Sequence, residues 1–270
     1  MAEGVTKGPS GNVRRVVAIT NQKGGVGKST TAVNLGACLA SAGQWTLLVD
    51  LDPQANSTSG LGIARESLAG TMYDVLVGEM DLSAVVVPSP VPGLDVAPSA
   101  MDMAGLEIFL GGSEGSETRL RDGLEQAHHE MILLDCPPSL GLLTVSALTA
   151  ATEVLIPIQC EYYALEGLRQ LLHSIDLVTK HLNPSLEIGG VLLTMYDSRT
   201  NLSDQVAAEV RRFFGPRVFE TVIPRSVRLA EAPSHGKPIS LYDPASRGAQ
   251  AYQALAQEVI ARGRQPSATL

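Results

Sequence analysis

Residues 16–30 read VVAITNQKGGVGKST, and this stretch decides the fold. Val16 to Thr20 is an unbroken apolar run, the pattern of a strand buried on both faces. Asn21 to Lys28 is a glycine-rich loop. Ser29 to Ser41 then carries Val33, Ala37 and Ala40 on one helical stripe, and Gly43 ends it. Trp45 to Leu51 supplies a second apolar strand. Strand, loop, helix and strand in this order make a βαβ unit, which requires a parallel sheet.

The loop itself carries chemistry. Its pattern departs from GxxxxGK[ST] only in having Gln22 where the first glycine would stand. Glycines let backbone N–H groups turn inward around a phosphate, and the helix that follows presents its positive end. Lys23, Gly24, Gly25, Val26, Gly27, Lys28, Ser29 and Thr30 are therefore the expected nucleotide-binding residues. Lys28 bridges β- and γ-phosphate in this reading, Ser29 ligates Mg²⁺, and Thr30 bonds the α-phosphate. Asp50 and Asp52, two residues apart at a strand end, share a face that opens onto the ligand crevice of such a sheet. Asp52 precedes Pro53 and is free to reach the γ-phosphate. Asp50 reads either as support for the loop and metal shell or as a structural carboxylate. Asp135 ends the apolar run Met131 to Leu134, as a second metal-site aspartate does in P-loop enzymes, and is expected to hold Mg²⁺ through a water.

Outward from these motifs, residues 53–130 are less regular. Helical turns are expected near Thr71 to Val77 and Glu117 to Ala127, a short strand at Leu94 to Ala97, and an exposed loop at Gly111 to Gly115. Strands resume at Met131–Leu134, Val154–Ile158, Ile188–Thr194 and Phe219–Ile223. Helices are expected at Leu140–Ala150, Leu165–His181, Leu202–Phe214 and Ala245–Arg262. The alternation indicates an α/β fold: a doubly wound, mostly parallel sheet flanked by helices, in one domain over 14–262 with flexible tails at 1–13 and 263–270.

The 270 residues are 44% apolar, enough for a sizeable core, and no apolar run approaches the ~18 residues of a membrane span. The polar first twelve residues do not read as a signal peptide. Cys38, Cys136 and Cys160 are too scattered for a disulfide framework, a metal site or an iron–sulfur cluster, which suits a reducing cytoplasm. The net charge of −8 is unevenly spread: residues 196–250 carry +2, leaving −10 for the rest. One face of an acidic protein is thus less acidic, or basic.

The segments KGGVGKST (23–30), LLVDLDPQANSTSGLG (47–62), LLDCPPSLG (133–141) and IPRSVRLAEAPSHGKPI (223–239) closely resemble the ParA/Soj chromosome- and plasmid-partitioning ATPases, over about Arg14 to Ala261. Lys23 is the second loop lysine that marks the deviant, signature-lysine P-loop class. The resemblance implies ATP hydrolysis with Mg²⁺, with Asp52 orienting the attacking water. It implies an ATP-dependent homodimer in which Lys23 of each subunit reaches the other's phosphates, making Lys23 and Asp52 the catalytic pair. Backbone contacts to adenine are implied at Pro224 and Ser226, although relatives commonly carry Asn where Ser226 stands. Arg199, Arg225, Arg228, Lys237 and Arg247 are implied as a surface for double-stranded DNA of any sequence. A ParB-type centromere-binding protein is the implied stimulating partner, and the nucleoid in the cytoplasm the implied location. No helix-turn-helix segment precedes residue 14. A MinD-like membrane-docking ATPase is one alternative. The last twenty residues, however, carry only a modest stripe (Tyr252, Leu255, Val259, Ile260) without a Lys/Arg face, and read as a helix packed on the domain. A purely regulatory ATP switch is the other alternative.

Overall fold

A computed structural model describes residues 14–111, 115–162 and 167–263. The expected tail at 1–13, all but Gly263 of the tail at 263–270, and parts of the expected loop at 111–115 and helix at 165–181 lie outside the described residues.

Among the described residues, eight strands form one sheet: β1 (Arg15–Ile19), β2 (Thr46–Asp50), β3 (Val87–Pro88), β4 (Leu94–Ala97), β5 (Met131–Asp135), β6 (Glu153–Gln159), β7 (Glu187–Tyr196) and β8 (Val218–Pro224). Their spatial order is β3-β4-β2-β5-β1-β6-β7-β8. Every neighbouring pair is parallel except β3 against β4. The exception has a local cause. β3 is two residues long, ends in Pro88 and sits at the sheet edge, where a missing N–H donor is tolerated. After β1 the chain crosses to β2 on one side, and after β5 it crosses to β6 on the other. The strand ends around β1 therefore form a topological switch point, where open α/β sheets bind ligands.

Alternate residues along each central strand feed two different cores. Val16, Ala18, Leu47, Val49, Ile132 and Leu134 face one. Val17, Ile19, Leu48 and Leu133 face the other. The first core is closed by the helices Leu142–Ala150, Leu168–His181 and Asn201–Phe214 together with shorter turns from 72 to 124. The second is closed by α1 (Lys28–Ser41) and the helix Arg247–Arg262. Helices on both faces explain the unbroken apolar strands of the sequence. Observed elements fall within a few residues of the expected ones. Short pieces fixed by tertiary contacts had no sequence signal: β3, α2 (Asn56–Gly60) and the helix Val227–Glu231.

The C-terminal helix spends its apolar stripe on packing. Tyr252, Leu255 and Val259 are buried against α1 and the sheet, and Ile260 packs at their margin. Arg15, at the start of β1, donates to the Val259 carbonyl at 2.8 Å and pairs with Glu153 at 2.7 Å. No helix among the described residues is long and apolar enough to cross a membrane. The Tyr252 hydroxyl, fully buried, meets Thr31 Oγ1 at 3.2 Å. Tyr252→Phe leaves the threonine hydroxyl without that partner under the phosphate loop's own helix. Urea denaturation should show a loss of about 1 kcal/mol.

Candidate active site

The phosphate loop is shaped by residues from three strands. Asn21 donates through its amide to the Pro157 carbonyl (2.8 Å) and accepts from the Lys23 N–H (3.1 Å). Thr194, at the far end of β7, donates to the Val26 carbonyl at 2.8 Å. Gly25 and Gly27 take φ of 75° and 91°, a left-handed backbone that disfavours any side chain. Gly27 is the N-cap of α1 and no side chain caps it, nor does an acid stand in the first turn. The first N–H groups of α1 are thus free for an anion. Lys28 is buried, and its ammonium donates to the Lys23 carbonyl at 3.2 Å. Burial lowers its pKa, while Asp135, Cys136 and Asp52 pull it back up.

The three aspartates lie together at the strand ends. Asp50 and Asp135 are register partners across β2 and β5, and both are fully buried. Asp50 accepts from the N–H and hydroxyl of Thr58 at 2.9 and 2.7 Å and from the Asp52 N–H at 3.2 Å. It therefore fastens the loop that carries Asp52, an arrangement that fits both roles left open by the sequence. Asp52 in turn accepts from the Gln54 N–H at 3.0 Å and lines the cleft. Burial and the neighbouring Asp135 push the Asp50 carboxyl up to about 7. Burial likewise raises Asp135, and hydroxyls of Ser57 and Ser29 pull it down.

Ser57 donates to Asp135 Oδ2 at 2.6 Å, but Asp135 Oδ1 is buried with no hydrogen-bond partner among the described residues. An unpartnered carboxylate oxygen beside a serine hydroxyl suits a hard divalent cation or its water ligand. Ser29 and Asp135 are the oxygens here that fit Mg²⁺. Cys136 is packed in the core and burial raises its thiol, so it is not a reactive group.

A cleft of about 430 Å³ opens above these groups, lined by Gly24, Gly25, Gly27, Lys28, Ser29, Thr30, Asp52 and also by Asn34, Met195, Pro233 and Lys237. Asn34 ties its rim together, donating to the Thr30 carbonyl (2.7 Å) and accepting from the Ile239 N–H (2.6 Å). Among the described residues, the two non-glycines with left-handed backbone, Ala55 (φ 53°) and Met195 (φ 50°), both lie at this site. Met195 lines the cleft, and Ala55 sits between two lining residues, Gln54 and Asn56. Such strain clusters at ligand sites.

The remaining site residues separate. Pro224 and Ser226 line a second hollow of about 440 Å³, with Arg199, Arg225, Arg228 and Arg247. The expected adenine-edge positions thus share a surface with four of the five expected DNA residues. Lys237 stands apart from those four, on the nucleotide cleft. Arg199 pairs with Asp197 (2.7 Å), Arg225 with Glu161 (3.4 Å), and Arg228 with Glu231 and Asp243 (2.9 and 3.5 Å). Arg247 is exposed and has no ion-pair partner among the described residues. Sequence reasoning missed Asn34, Met195 and Glu161. The left-handed Met195 and the Asn34 contact have no linear signal.

A bare helix N-terminus behind a glycine loop, a buried lysine, and carboxylates at neighbouring strand ends define a P-loop nucleotide hydrolase. A family model described as an AAA domain matches residues 14–188. The chain is 57% identical over 251 residues to the sporulation initiation inhibitor protein Soj of Bacillus subtilis, covering 92% of this chain and 99% of that one. It is 54% identical over 259 residues to the chromosome partitioning protein ParA of Caulobacter vibrioides, covering 94% and 97%. Among solved structures, cobyrinic acid a,c-diamide synthase from Mycobacterium smegmatis, with an ATP analogue and magnesium bound, superposes with a TM-score of 0.81. It is 38% identical, covering 92% of this chain and 95% of that one. The chain belongs to the ParA/Soj family of partitioning ATPases. It is an ATPase whose cofactors are ATP and Mg²⁺.

The paired aspartates make stability depend on pH. Their folded pKa values lie above the ordinary carboxylate value of 3.8, so the folded state holds more protons than the unfolded one between there and about 7. Their contribution therefore falls as pH rises through that window. Asp50→Asn keeps an acceptor for Thr58 and removes one charge. In metal-free buffer its denaturation midpoint should improve relative to wild type on going from pH 5 to pH 8, and an unchanging difference would contradict the shared burial of charge.

Proposed function

We propose that ATP joins two copies of this chain face to face, and that the joined form holds DNA until hydrolysis releases it. The observation that carries the reading is the split use of Lys23. Its backbone carbonyl receives the Lys28 ammonium, while its own ammonium stands outside the cleft, 3.8 Å from Glu161. A lysine whose carbonyl belongs to the loop while its ammonium lies beside Glu161 supports a role for that ammonium at another subunit's phosphates. There it adds positive charge where negative charge develops, as an arginine finger does.

Within one subunit the free N–H groups of α1, the loop glycines from Gly24 to Gly27, Lys28 and Thr30 bind the phosphates. Ser29 holds Mg²⁺, with Asp135 behind it through a water. When bound there, the cation would supply positive charge to the phosphate oxygens. Asp52, anchored through Asp50, orients water in line with the γ-phosphate. Pro224 and Ser226 remain the proposed backbone contacts at the adenine edge. The arginine hollow supplies phosphate contacts that ignore sequence, and pairing two hollows on one duplex raises affinity through effective concentration. Soj and ParA are named for sporulation control and chromosome partitioning. By that kinship this chain segregates a chromosome or plasmid on the nucleoid, with a ParB-type protein stimulating turnover.

Two outcomes test this. Asp52→Ala removes the water-positioning carboxylate and leaves the phosphate contacts, so hydrolysis should fall by on the order of 100-fold or more while an ATP-bound dimer persists on DNA. Wild-type turnover in this variant would assign water positioning elsewhere. The hollow gives a graded comparison. Arg247→Glu should weaken retention on non-specific DNA and flatten the log K against log [salt] slope by about 0.9 per subunit. Arg228→Glu should do less, since Glu231 and Asp243 already occupy that guanidinium. Equal retention by wild type and Arg247→Glu would remove Arg247 from the DNA surface.

A further inference from the structure

Glu161 stands just past the end of β6, where its N–H closes a tight turn onto the Gln159 carbonyl at 2.8 Å. The Gln159 side-chain amide also donates to its carboxylate. The two carboxylate oxygens then face different cations. Oε2 lies 3.8 Å from Lys23 Nζ, and Oε1 lies 3.4 Å from the Arg225 guanidinium. Lys23 comes from the phosphate loop and Arg225 from the arginine hollow. The backbones of both are fixed: the Lys23 N–H by Asn21, and the Arg225 N–H by the Tyr196 carbonyl at 2.9 Å. What remains free to move at this junction is the side chains. The three groups are half-exposed, so their attraction is modest and reversible.

We propose that Glu161 is a positioning residue that holds Lys23 and Arg225 in the resting monomer and so restrains both dimerisation and DNA retention. The proposal rests on Lys23 acting across the dimer and Arg225 acting on DNA. A lysine that reaches a second subunit's phosphates must leave Glu161. An interaction present in the monomer and absent from the dimer shifts the equilibrium toward the monomer by its own strength. For Arg225 the restraint is simpler: a guanidinium that shares a carboxylate presents less net charge to a phosphate. Glu161 thereby ties together two cations that the sequence assigns to separate tasks.

The test uses the full chain in five forms: wild type, Glu161→Gln, Glu161→Asp, Lys23→Ala, and Glu161→Gln combined with Lys23→Ala. Light scattering across a protein titration with ATP should show Glu161→Gln dimerising at about two- to five-fold lower concentration, the scale of an exposed ion pair. Nucleotide-free retention on non-specific DNA at low salt should rise by a similar factor. Glu161→Asp should restore wild-type behaviour in both assays. In the Lys23→Ala background Glu161→Gln should leave dimerisation where Lys23→Ala alone puts it. Unchanged behaviour of Glu161→Gln in either assay overturns the proposal. Weaker dimerisation also overturns it, by placing Glu161 in the contact between subunits. A wild type that neither dimerises with ATP nor binds DNA removes the underlying reading instead. A wild type that does both, beside an indifferent Glu161→Gln, removes Glu161 alone.

Discussion

Two carboxylates out of water, side by side on neighbouring strands, are the constraint around which the rest of this molecule is arranged. Asp50 and Asp135 share one register position of β2 and β5 and are fully buried. Isolated charges in such a place would cost several kcal/mol each. Two things offset that cost: Lys28 set against Asp135, and hydroxyl and N–H donors drawn chiefly from one short segment. Ser57 and Thr58 supply most of those donors, so the turn after β2 folds over the acids as α2. Ser99, after β4, joins the same network by donating its N–H to Thr58 Oγ1 at 3.1 Å. The acids thus recruit their own cover, and the cover carries Asp52 to the cleft.

The strands and long helices were legible in the sequence because burial on both faces leaves an unbroken apolar run, and burial on one leaves a helical stripe. The phosphate loop was legible because its chemistry needs fixed residue types at fixed spacing. Legibility ended where neighbours come from distant segments. Glu161 and Arg225 are 64 residues apart, and nothing local marks either as the other's partner. Ser226 and Arg247 face one hollow only because β8 and the last helix bring them together. Two-residue β3 was invisible for the opposite reason: it is too short to carry a period, and its pairing is dictated by β4. Asp50 was ambiguous in the sequence because a carboxylate that supports a loop and one that supports a fold look alike in a linear pattern.

The charge split of the sequence takes a definite form. Arginines from the ends of β7 and β8 and from the start of the last helix surround one hollow, while acids from the same third of the chain pair with two of them and Glu161 pairs with a third. A surface built this way has a small net charge and a high density of donors in fixed positions.

Ala55 bears on how a loop can be held still. Its backbone is left-handed although a methyl group disfavours that region, and the residue is fully buried. Glycine would sit there with less strain and would also let the unfolded segment wander more widely. Alanine narrows the alternatives at the cost of local discomfort. Its N–H donates to the Asp52 carbonyl at 2.8 Å, so the residue under tension is bonded directly to the backbone of the carboxylate that faces the cleft. The local strain, on the order of 1 kcal/mol, is held in place by the bonds that Asp50 makes to Thr58 and to the Asp52 N–H.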